Sequence, residues 1–215
     1  MARLTQEQLV EKYIALSKYE NEYLSNGYSV IAGIDEAGRG PLAGPVVAAA
    51  CVLDPDVQIL GLDDSKKLSA KKRDVLFDEI KQKALCYEIC AEDAATIDEI
   101  NILEATKKAM RRCVQGLESK GFNPKVLLID AVKLEGTNVP VIVPIIKGDA
   151  NSNSIAAASI LAKVTRDRMM IEYDAKYPGY GFAAHKGYGT AAHYKGIREL
   201  GMCPIHRRSF LKVIH

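Results

Sequence analysis

Short apolar runs of strand length alternate with helical patterns along the chain, and this alternation restricts the possible folds more than any other feature. The predicted strands cover residues 29–35, 45–53, 84–92, 125–130 and 140–146. Their length and the turn residues at their ends are typical of strands. Two prolines within 140–146 predict an edge strand or an irregular strand end. Because helical segments separate several of these runs, we expect an α/β domain with a mixed sheet.

Capping patterns locate the predicted helices. Thr5 with Gln8 forms a capping box, and Ser69 is the expected N-cap of a second helix. Thr96 with Glu99 forms another capping box, which predicts a helix from there to about residue 120. The predicted helices cover residues 5–25, 69–83, 97–120, 152–175 and 190–200.

The composition is that of an ordinary globular domain. Of 215 residues, 48% are hydrophobic and 26% are charged, which argues against a disordered or fibrous protein. No apolar stretch reaches the roughly 18 residues of a membrane span, and the N-terminus does not resemble a signal peptide. We therefore expect a cytoplasmic monomer that does not associate with membranes. A single domain is expected over 1–215, with 1–27 as an N-terminal helical extension.

Neither the cysteines nor the net charge defines a function by itself. The five cysteines include no C-x-x-C pair, so we favour a packing role over a metal or redox site. The net charge of +2 does not by itself indicate a nucleic-acid-binding protein. Lysines and arginines cluster locally over residues 66–73, a pattern that is also typical of a solvated helix face.

Acidic residues stand at the ends of the predicted strands. Asp35 and Glu36 end the first strand, Asp130 ends the strand over 125–130, and Asp149 precedes the longest helix. At such positions a sheet presents polar groups to a cleft. Taken singly, an aspartate there is also explained as a turn former or a helix cap. An Asp-Glu doublet before a glycine-rich turn has no ordinary capping role, so the set favours a functional site.

Carboxylates held close together repel one another unless a cation offsets their charge. Mg²⁺ or Mn²⁺ suits such a set, because these hard ions prefer oxygen ligands and retain positions for water and substrate phosphate. Ions of this kind stabilise both the attacking water and the leaving oxygen in phosphodiester cleavage. No motif for a serine nucleophile, a zinc protease or a phosphate-binding loop competes with this interpretation.

A glycine-rich turn, G-R-G at residues 38–40, follows the acidic doublet. Glycines let a backbone approach a ligand closely, and exposed amide groups in such a turn donate to a phosphate or a sugar hydroxyl. The alternative is a tight connection between antiparallel strands that needs glycine for geometry alone, and the spacing does not decide between the two. A dinucleotide-binding loop is excluded because a strand, rather than a helix, follows the turn.

Six segments of the chain, taken in order, resemble the ribonuclease HII family. They are GIDEAGRGPLAGPVVAAACVL at 33–53, DDSKKLS at 63–69, LLIDAVKL at 127–134, IIKGDANSNSIAAASILAKVTRD at 145–167, HKGYGT at 185–190 and CPIHRRSF at 203–210. They span almost the whole chain after the first predicted helix. The related type HIII ribonucleases carry a long extra N-terminal domain and another residue in place of Arg39, so the resemblance is to type HII.

This resemblance implies a ribonuclease-H-like fold, a mixed sheet flanked by helices, with a helical C-terminal extension. It implies Mn²⁺ or Mg²⁺ as the cofactor. Asp167 lies deep in a predicted helix, so it is left out of the metal site and is expected to pair with a neighbouring arginine. The implied catalytic and metal-binding residues are Asp35, Glu36, Asp130 and Asp149.

The resemblance also implies how the substrate is bound. Contacts to the ribose 2′-hydroxyl, the group that distinguishes RNA from DNA, are implied for the 38–40 turn and for Tyr188. Without the resemblance, Tyr188 would be interpreted as an ordinary surface or core tyrosine. Phosphate contacts position a duplex without reading its sequence, and they are expected from Lys66, Ser154 and Lys163. The implied substrate-binding residues are Gly38, Arg39, Gly40, Lys66, Ser154, Lys163 and Tyr188.

The implied activity is hydrolysis of the phosphodiester 5′ to a ribonucleotide, in an RNA–DNA hybrid or in DNA with embedded ribonucleotides, leaving 3′-hydroxyl and 5′-phosphate ends. Two other hypotheses remain open. A different metal-dependent nuclease or integrase-like enzyme on the same fold would not depend on the 2′-hydroxyl. A non-catalytic binding module would bind a duplex after Asp130→Asn and never cut it, but four carboxylates without a metal would be costly to keep together.

Overall fold

A five-stranded mixed sheet forms the centre of the computed structural model, which describes residues 4–130 and 132–211. Antiparallel pairing joins β1 to β2 and β2 to β3, and parallel pairing joins β1 to β4 and β4 to β5. The predicted α/β class with a mixed sheet is confirmed, and the proline-containing β5 lies at the edge, as expected. The sheet order is β3-β2-β1-β4-β5, with β1 (Ile31–Ala37), β2 (Val46–Val52), β3 (Cys86–Glu92), β4 (Val126–Asp130) and β5 (Val141–Ile145).

Helices cover both faces of the sheet. The helix α4 (Ala94–Ser119), which is kinked at Asn101 (φ +68°), buries Met110, Cys113 and Leu117 against one face, and α5 packs with α3 against the other. The last two helices form the predicted helical C-terminal extension. The helices are α1 (Gln6–Leu16), α2 (Lys18–Ser25), α3 (Ala70–Lys83), α4 (Ala94–Ser119), α5 (Asn153–Lys176), α6 (Phe182–His185) and α7 (Ala191–Leu200), with 3₁₀ turns at Gly148–Ala150 and Arg208–Phe210.

Helix α5 lies directly against β1. A Cβ atom on Gly33 would be 2.1 Å from the backbone carbonyl carbon of Ser154, so only glycine allows this approach. The side chains of α5 that follow are small and fully buried, at Ala156, Ala157 and Ala158. This close packing fixes the position of the β1 end relative to α5, and the candidate site lies at that end.

The predicted start of α4 is wrong. The helix begins at Ala94, and its N-cap is Asp93, whose carboxylate accepts a hydrogen bond from the N–H of Thr96 at 2.8 Å. Thr96 and Glu99 therefore lie inside the helix and form no capping box. Aspartate is as good an N-cap as threonine. Because Asp93 stands three residues earlier than Thr96, it caps a turn that the prediction left outside the helix.

The predicted helix over 5–25 is two helices. The break is at Ser17, whose hydroxyl donates to the carbonyl oxygen of Tyr13 at 2.8 Å. The capping box of Thr5 and Gln8 and the N-cap at Ser69 are confirmed. No helix in the described part of the chain is long and apolar enough to span a membrane.

The cysteines pack in the interior, as the sequence predicts. All five are free thiols, and four of them are buried. Cys86 and Cys90 of β3 face the same cluster as Cys113 of α4. Burial in apolar surroundings raises the pKa of the Cys113 thiol, as expected of a packing residue rather than a reactive one.

Candidate active site

The parallel strands bring two of the predicted carboxylates together at one edge of the sheet. Ile34 of β1 pairs with Ile129 of β4, so the next residue in each strand, Asp35 and Asp130, lie side by side. Glu36 follows Asp35 and ends the same strand. A buried parallel sheet has no other place to present polar side chains, because its faces are covered by helices.

A short turn brings the fourth predicted carboxylate to the same edge. The backbone N–H of Gly148 donates to the Asp130 carboxylate at 3.0 Å and ties the 3₁₀ turn to the end of β4. Asp149, in that turn, is 6% exposed. Asp64, which the sequence analysis did not single out, lies close enough to Asp149 for its charge to raise the pKa of that carboxyl. The site therefore has a fifth carboxylate, supplied by the loop before α3.

Burial raises the pKa of three of these carboxylates, and the charge of neighbouring carboxylates adds to the rise. Burial, followed by the charge of Glu36, raises the pKa of Asp35 well above its usual range. Burial also raises the pKa of Glu36, although the guanidinium of Arg39, 3.3 Å away, opposes the rise. Burial and the charge of Asp64 raise the pKa of Asp149 to about 6. Bringing a cation into the site would relieve this repulsion.

Lys66 lines the cleft and supplies positive charge close to the carboxylates. Burial lowers its pKa, but the charges of Asp149, Asp64, Asp35 and Asp130 outweigh burial and raise it. The side chain is otherwise exposed and borders the cleft. Lys66 is therefore a charged group next to the carboxylates, where it is able to meet an anionic substrate.

The chemistry of the site fits a divalent metal ion. Its candidate ligands are all carboxylate oxygens, which Mg²⁺ and Mn²⁺ prefer. The Oε2 atom of Glu36 is buried and has no hydrogen-bond partner, and a buried carboxylate oxygen rarely stays without one. Within residues 4–130 and 132–211, no three histidine, cysteine, aspartate or glutamate side chains already enclose a common point. The carboxylates are thus neighbours whose charge and unpaired oxygen suit a cation.

The glycine turn lines the same cleft, which has a volume of about 260 Å³. Gly38 has a φ angle of +96°, and a Cβ there would lie 2.0 Å from Nε of Arg166. Arg39 is half exposed, and Gly40 faces the ring of Tyr188. The turn therefore needs glycine at position 38 for its backbone angle and its packing, as the geometric interpretation of the turn requires. The turn also faces the cleft, as the ligand-binding interpretation requires.

Two fully buried arginines donate hydrogen bonds to the backbone of the turn and of the segment that follows it. Arg166 of α5 donates to the carbonyl oxygens of Pro45, Ala43 and Lys186 at 2.9, 3.1 and 3.0 Å. Arg207 donates to three carbonyl oxygens of the segment from 38 to 44. Both arginines stand within segments that carry the family resemblance, T-R-D and H-R-R-S-F, but nothing in the sequence alone distinguishes them from surface arginines.

Tyr188 borders the cleft on a loop that histidines hold in place. Its side chain is 47% exposed. Its carbonyl oxygen lies 3.0 Å from Nδ1 of the buried His193, whose Nε2 lies 3.0 Å from Nε2 of His206. The N–H of Cys203 donates to Nδ1 of His206 at 2.9 Å, so His206 donates from Nε2 and His193 donates to Tyr188. The C-terminal segment thereby fixes the backbone at Tyr188.

The prediction that Ser154 binds phosphate is corrected. Ser154 is 1% exposed, and its hydroxyl donates to Oε1 of Glu20 at 2.6 Å. Its backbone N–H donates to the same oxygen at 2.9 Å. The first turn of α5 is capped by the side chain of Ser152, and Glu20 of α2 accepts from the N–H of Ser154. Ser154 therefore joins the N-terminal helices to the sheet.

Lys163 borders the cleft and pairs with Asp167 one helical turn later, at 2.7 Å. Asp167 also lies 3.9 Å from Arg73 of α3, so it pairs with an arginine as predicted, although not with Arg166 or Arg168, its neighbours in sequence. Lys163 therefore lies where a phosphate could bind, but Asp167 offsets part of its charge.

Comparison with known proteins agrees with this geometry. The family model for Ribonuclease HII matches residues 32–213. A ribonuclease HII of Ruminiclostridium cellulolyticum is 57% identical over 203 residues, covering 94% of this chain and 78% of the relative. The ribonuclease H2 of Pyrococcus horikoshii OT3 is 28% identical with a TM-score of 0.67, covering 84% of this chain and 93% of that one. A chain of the PCNA:RNase HII complex from Archaeoglobus fulgidus is 27% identical with a TM-score of 0.69, covering 83% and 94%.

The family match covers every cleft residue described above, and the fold is similar to that of a solved ribonuclease H2 over most of both chains. The chain therefore belongs to the ribonuclease HII family and is a ribonuclease H, a divalent-metal-dependent endoribonuclease.

Proposed function

We propose that this enzyme hydrolyses the phosphodiester on the 5′ side of a ribonucleotide, in RNA–DNA hybrids and in duplex DNA with embedded ribonucleotides, leaving 3′-hydroxyl and 5′-phosphate ends. The observation that carries the proposal is that Asp35, Glu36, the 38–40 turn and Tyr188 line one cleft, and that Asp130 lies beside Asp35. Groups for cutting a phosphodiester and groups for recognising a ribose are thus neighbours.

Asp35, Glu36, Asp130 and Asp149 would hold Mg²⁺ or Mn²⁺. The ion would supply positive charge to the scissile phosphate and to the oxygens that attack and leave. The chain's own contribution is to keep these carboxylates largely out of bulk water, where their attraction for a cation is strongest. Asp64, within reach of Asp149, adds a further carboxylate to this set.

The remaining cleft residues bind and orient the nucleic acid. Lys66 contacts phosphate, with Lys163 as a weaker second contact because Asp167 already offsets its charge. The backbone amides of the 38–40 turn donate to the ribose 2′-hydroxyl, and the ring of Tyr188 packs on the adjoining sugar. We propose that the protein works as a monomer in the cytoplasm.

The test uses the purified full chain and a labelled DNA duplex with one ribonucleotide, in Mg²⁺, in Mn²⁺ or in EDTA. We expect one cut 5′ to the ribonucleotide, lost in EDTA and in Asp130→Asn. Asp78→Asn is the matched control, since Asp78 is an exposed carboxylate of α3 outside the cleft. An equal cut in an all-DNA duplex would support the other nuclease on this fold, and metal-independent binding without any cut would support the binding module.

A further inference from the structure

The side chain of Arg207 is wholly buried beneath the 38–40 turn. Its three nitrogens donate to three carbonyl oxygens, Nη2 to Gly38 at 2.6 Å, Nη1 to Arg39 at 2.9 Å and Nε to Gly44 at 2.9 Å. The planar guanidinium is thus matched to a curved piece of backbone. A lysine ammonium is a single point of charge and cannot contact all three oxygens in this geometry.

The partners of Arg207 are neutral carbonyl oxygens, so burying its charge costs free energy. Burial, followed by the charge of Arg166, lowers the pKa of Arg207 to about 9. A buried guanidinium is retained only when its hydrogen bonds offset the loss of hydration. The ring of Phe210 lies over the guanidinium, 5.2 Å from its central carbon, and closes the other side. The three hydrogen bonds and the contact with Phe210 offset the cost of burying this charge, and the same bonds hold the turn.

The direction of the turn's amide groups follows from these bonds. The peptide bonds of the described residues are all trans, and in a trans peptide the N–H points opposite to the C=O of the same unit. The carbonyls of Gly38 and Arg39 point at Arg207, so the N–H groups of Arg39 and Gly40 point away from it. Both residues line the cleft on that other side. A cation on the carbonyl oxygen also polarises each peptide unit and strengthens its N–H as a donor.

We propose that Arg207 is a positioning residue for ribonucleotide recognition, which aims the N–H groups of Arg39 and Gly40 at the 2′-oxygen of the substrate ribose. The inference rests on the proposed function for the identity of that acceptor. Arg207 touches no substrate itself. Its contribution is a pair of polarised donors held in one orientation before the substrate arrives, so that no binding energy is spent on ordering the turn.

The experiment measures the affinity of Arg207→Lys for two labelled duplexes in EDTA, one with a single ribonucleotide and one of DNA alone. The control is Met110→Ala, which opens the core on the α4 side of the sheet, away from the cleft. We expect wild type and Met110→Ala to share one preference for the ribonucleotide. In Arg207→Lys the preference falls about tenfold, as the loss of one hydrogen bond of about 1.4 kcal/mol would give. Phe210→Leu keeps the guanidinium but removes the ring that packs on it, so its preference for the ribonucleotide is expected to lie between those of wild type and Arg207→Lys.

A second measurement separates this inference from the proposed function. The ¹⁵N order parameters of Arg39 and Gly40 are expected near 0.85 in wild type and below about 0.6 in Arg207→Lys. If wild type has no preference for the ribonucleotide, the proposed function fails, and the order parameters still decide whether Arg207 orders the turn. Unchanged order parameters, or an unchanged preference in both Arg207→Lys and Phe210→Leu, would overturn the inference. If Arg207→Lys does not fold, the ribonucleotide preference and the order parameters of Phe210→Leu decide the question.

Discussion

Replacing Gly38 by alanine tests the account of the turn most directly. A Cβ there would lie 2.0 Å from Nε and 2.4 Å from Cδ of Arg166, at a φ angle of +96°. Holding a residue other than glycine in this backbone region costs about 1–2 kcal/mol. Moving the guanidinium of Arg166 breaks at least one of its three bonds to carbonyls, which costs about 1.5–3 kcal/mol for a charged donor. We expect Gly38→Ala to lower the free energy of unfolding by about 3–5 kcal/mol.

Thermal denaturation followed by circular dichroism checks this value. For a domain of this size, about 2–4 °C of Tm corresponds to each kcal/mol, so the expected fall is roughly 6–20 °C. Gly40→Ala is the matched control two residues away. Gly40 has no positive φ, and its Cβ would meet only a ring carbon of Tyr188 at 3.8 Å, so a change within about 0.5 kcal/mol is expected. Equal losses in the two variants, or a loss below about 1 kcal/mol in Gly38→Ala, would refute the reasoning.

Four further predictions test other parts of the structure. Ser154→Ala should lower stability by about 1–3 kcal/mol in urea unfolding, because Glu20 loses a buried donor, and should leave cleavage rates unchanged. Mg²⁺ at about 100 times its Kd should stabilise wild type by about 2.7 kcal/mol in a thermal shift assay, and Asp35→Asn should respond much less. Lys66→Ala should weaken hybrid and all-DNA duplexes alike and reduce the slope of log affinity against log salt by about 1. Burial lowers the pKa of His193 to about 4, so at this residue the unfolded chain binds more protons between about pH 4 and 6.5, and the contribution of His193 to stability falls as pH drops through that window. Over that window wild type should lose about 3 kcal/mol of stability relative to His193→Gln, and an equal change in both would contradict the assignment.

The sequence predicts the strands and the class of fold well, because these depend on local patterns. Apolar runs of strand length and the order of helices and strands are properties of neighbouring residues, and all five predicted strands are present. The start of α4 could not be chosen with certainty, since Asp93 and Thr96 are both good caps and only the packed helix decides between them. Nothing in the sequence distinguishes Ser17, where the first predicted helix breaks, from an ordinary serine inside a helix.

The contacts between distant segments could not be predicted. Ser154 looks like an exposed residue at a helix start until Glu20, 134 positions earlier, reaches it. Asp64 follows another aspartate in a charged loop, and only the folded chain places it next to Asp149. Arg166 and Arg207 look like surface charges, because partners that are backbone carbonyls have no sequence signature.

The bonds of Arg207 to the turn join positions 163 to 169 residues apart. A ribosome synthesises the turn early and the residue that orders it late, after β1 to β5 and α1 to α7 of the described residues. A nascent chain that ends before residue 207 can form much of the sheet, since most of its pairings close earlier, but it cannot order the turn. Under the role that we propose for Arg207, a chain truncated before this residue would keep the carboxylates but would lack the ordered turn through which we propose that ribonucleotides are recognised.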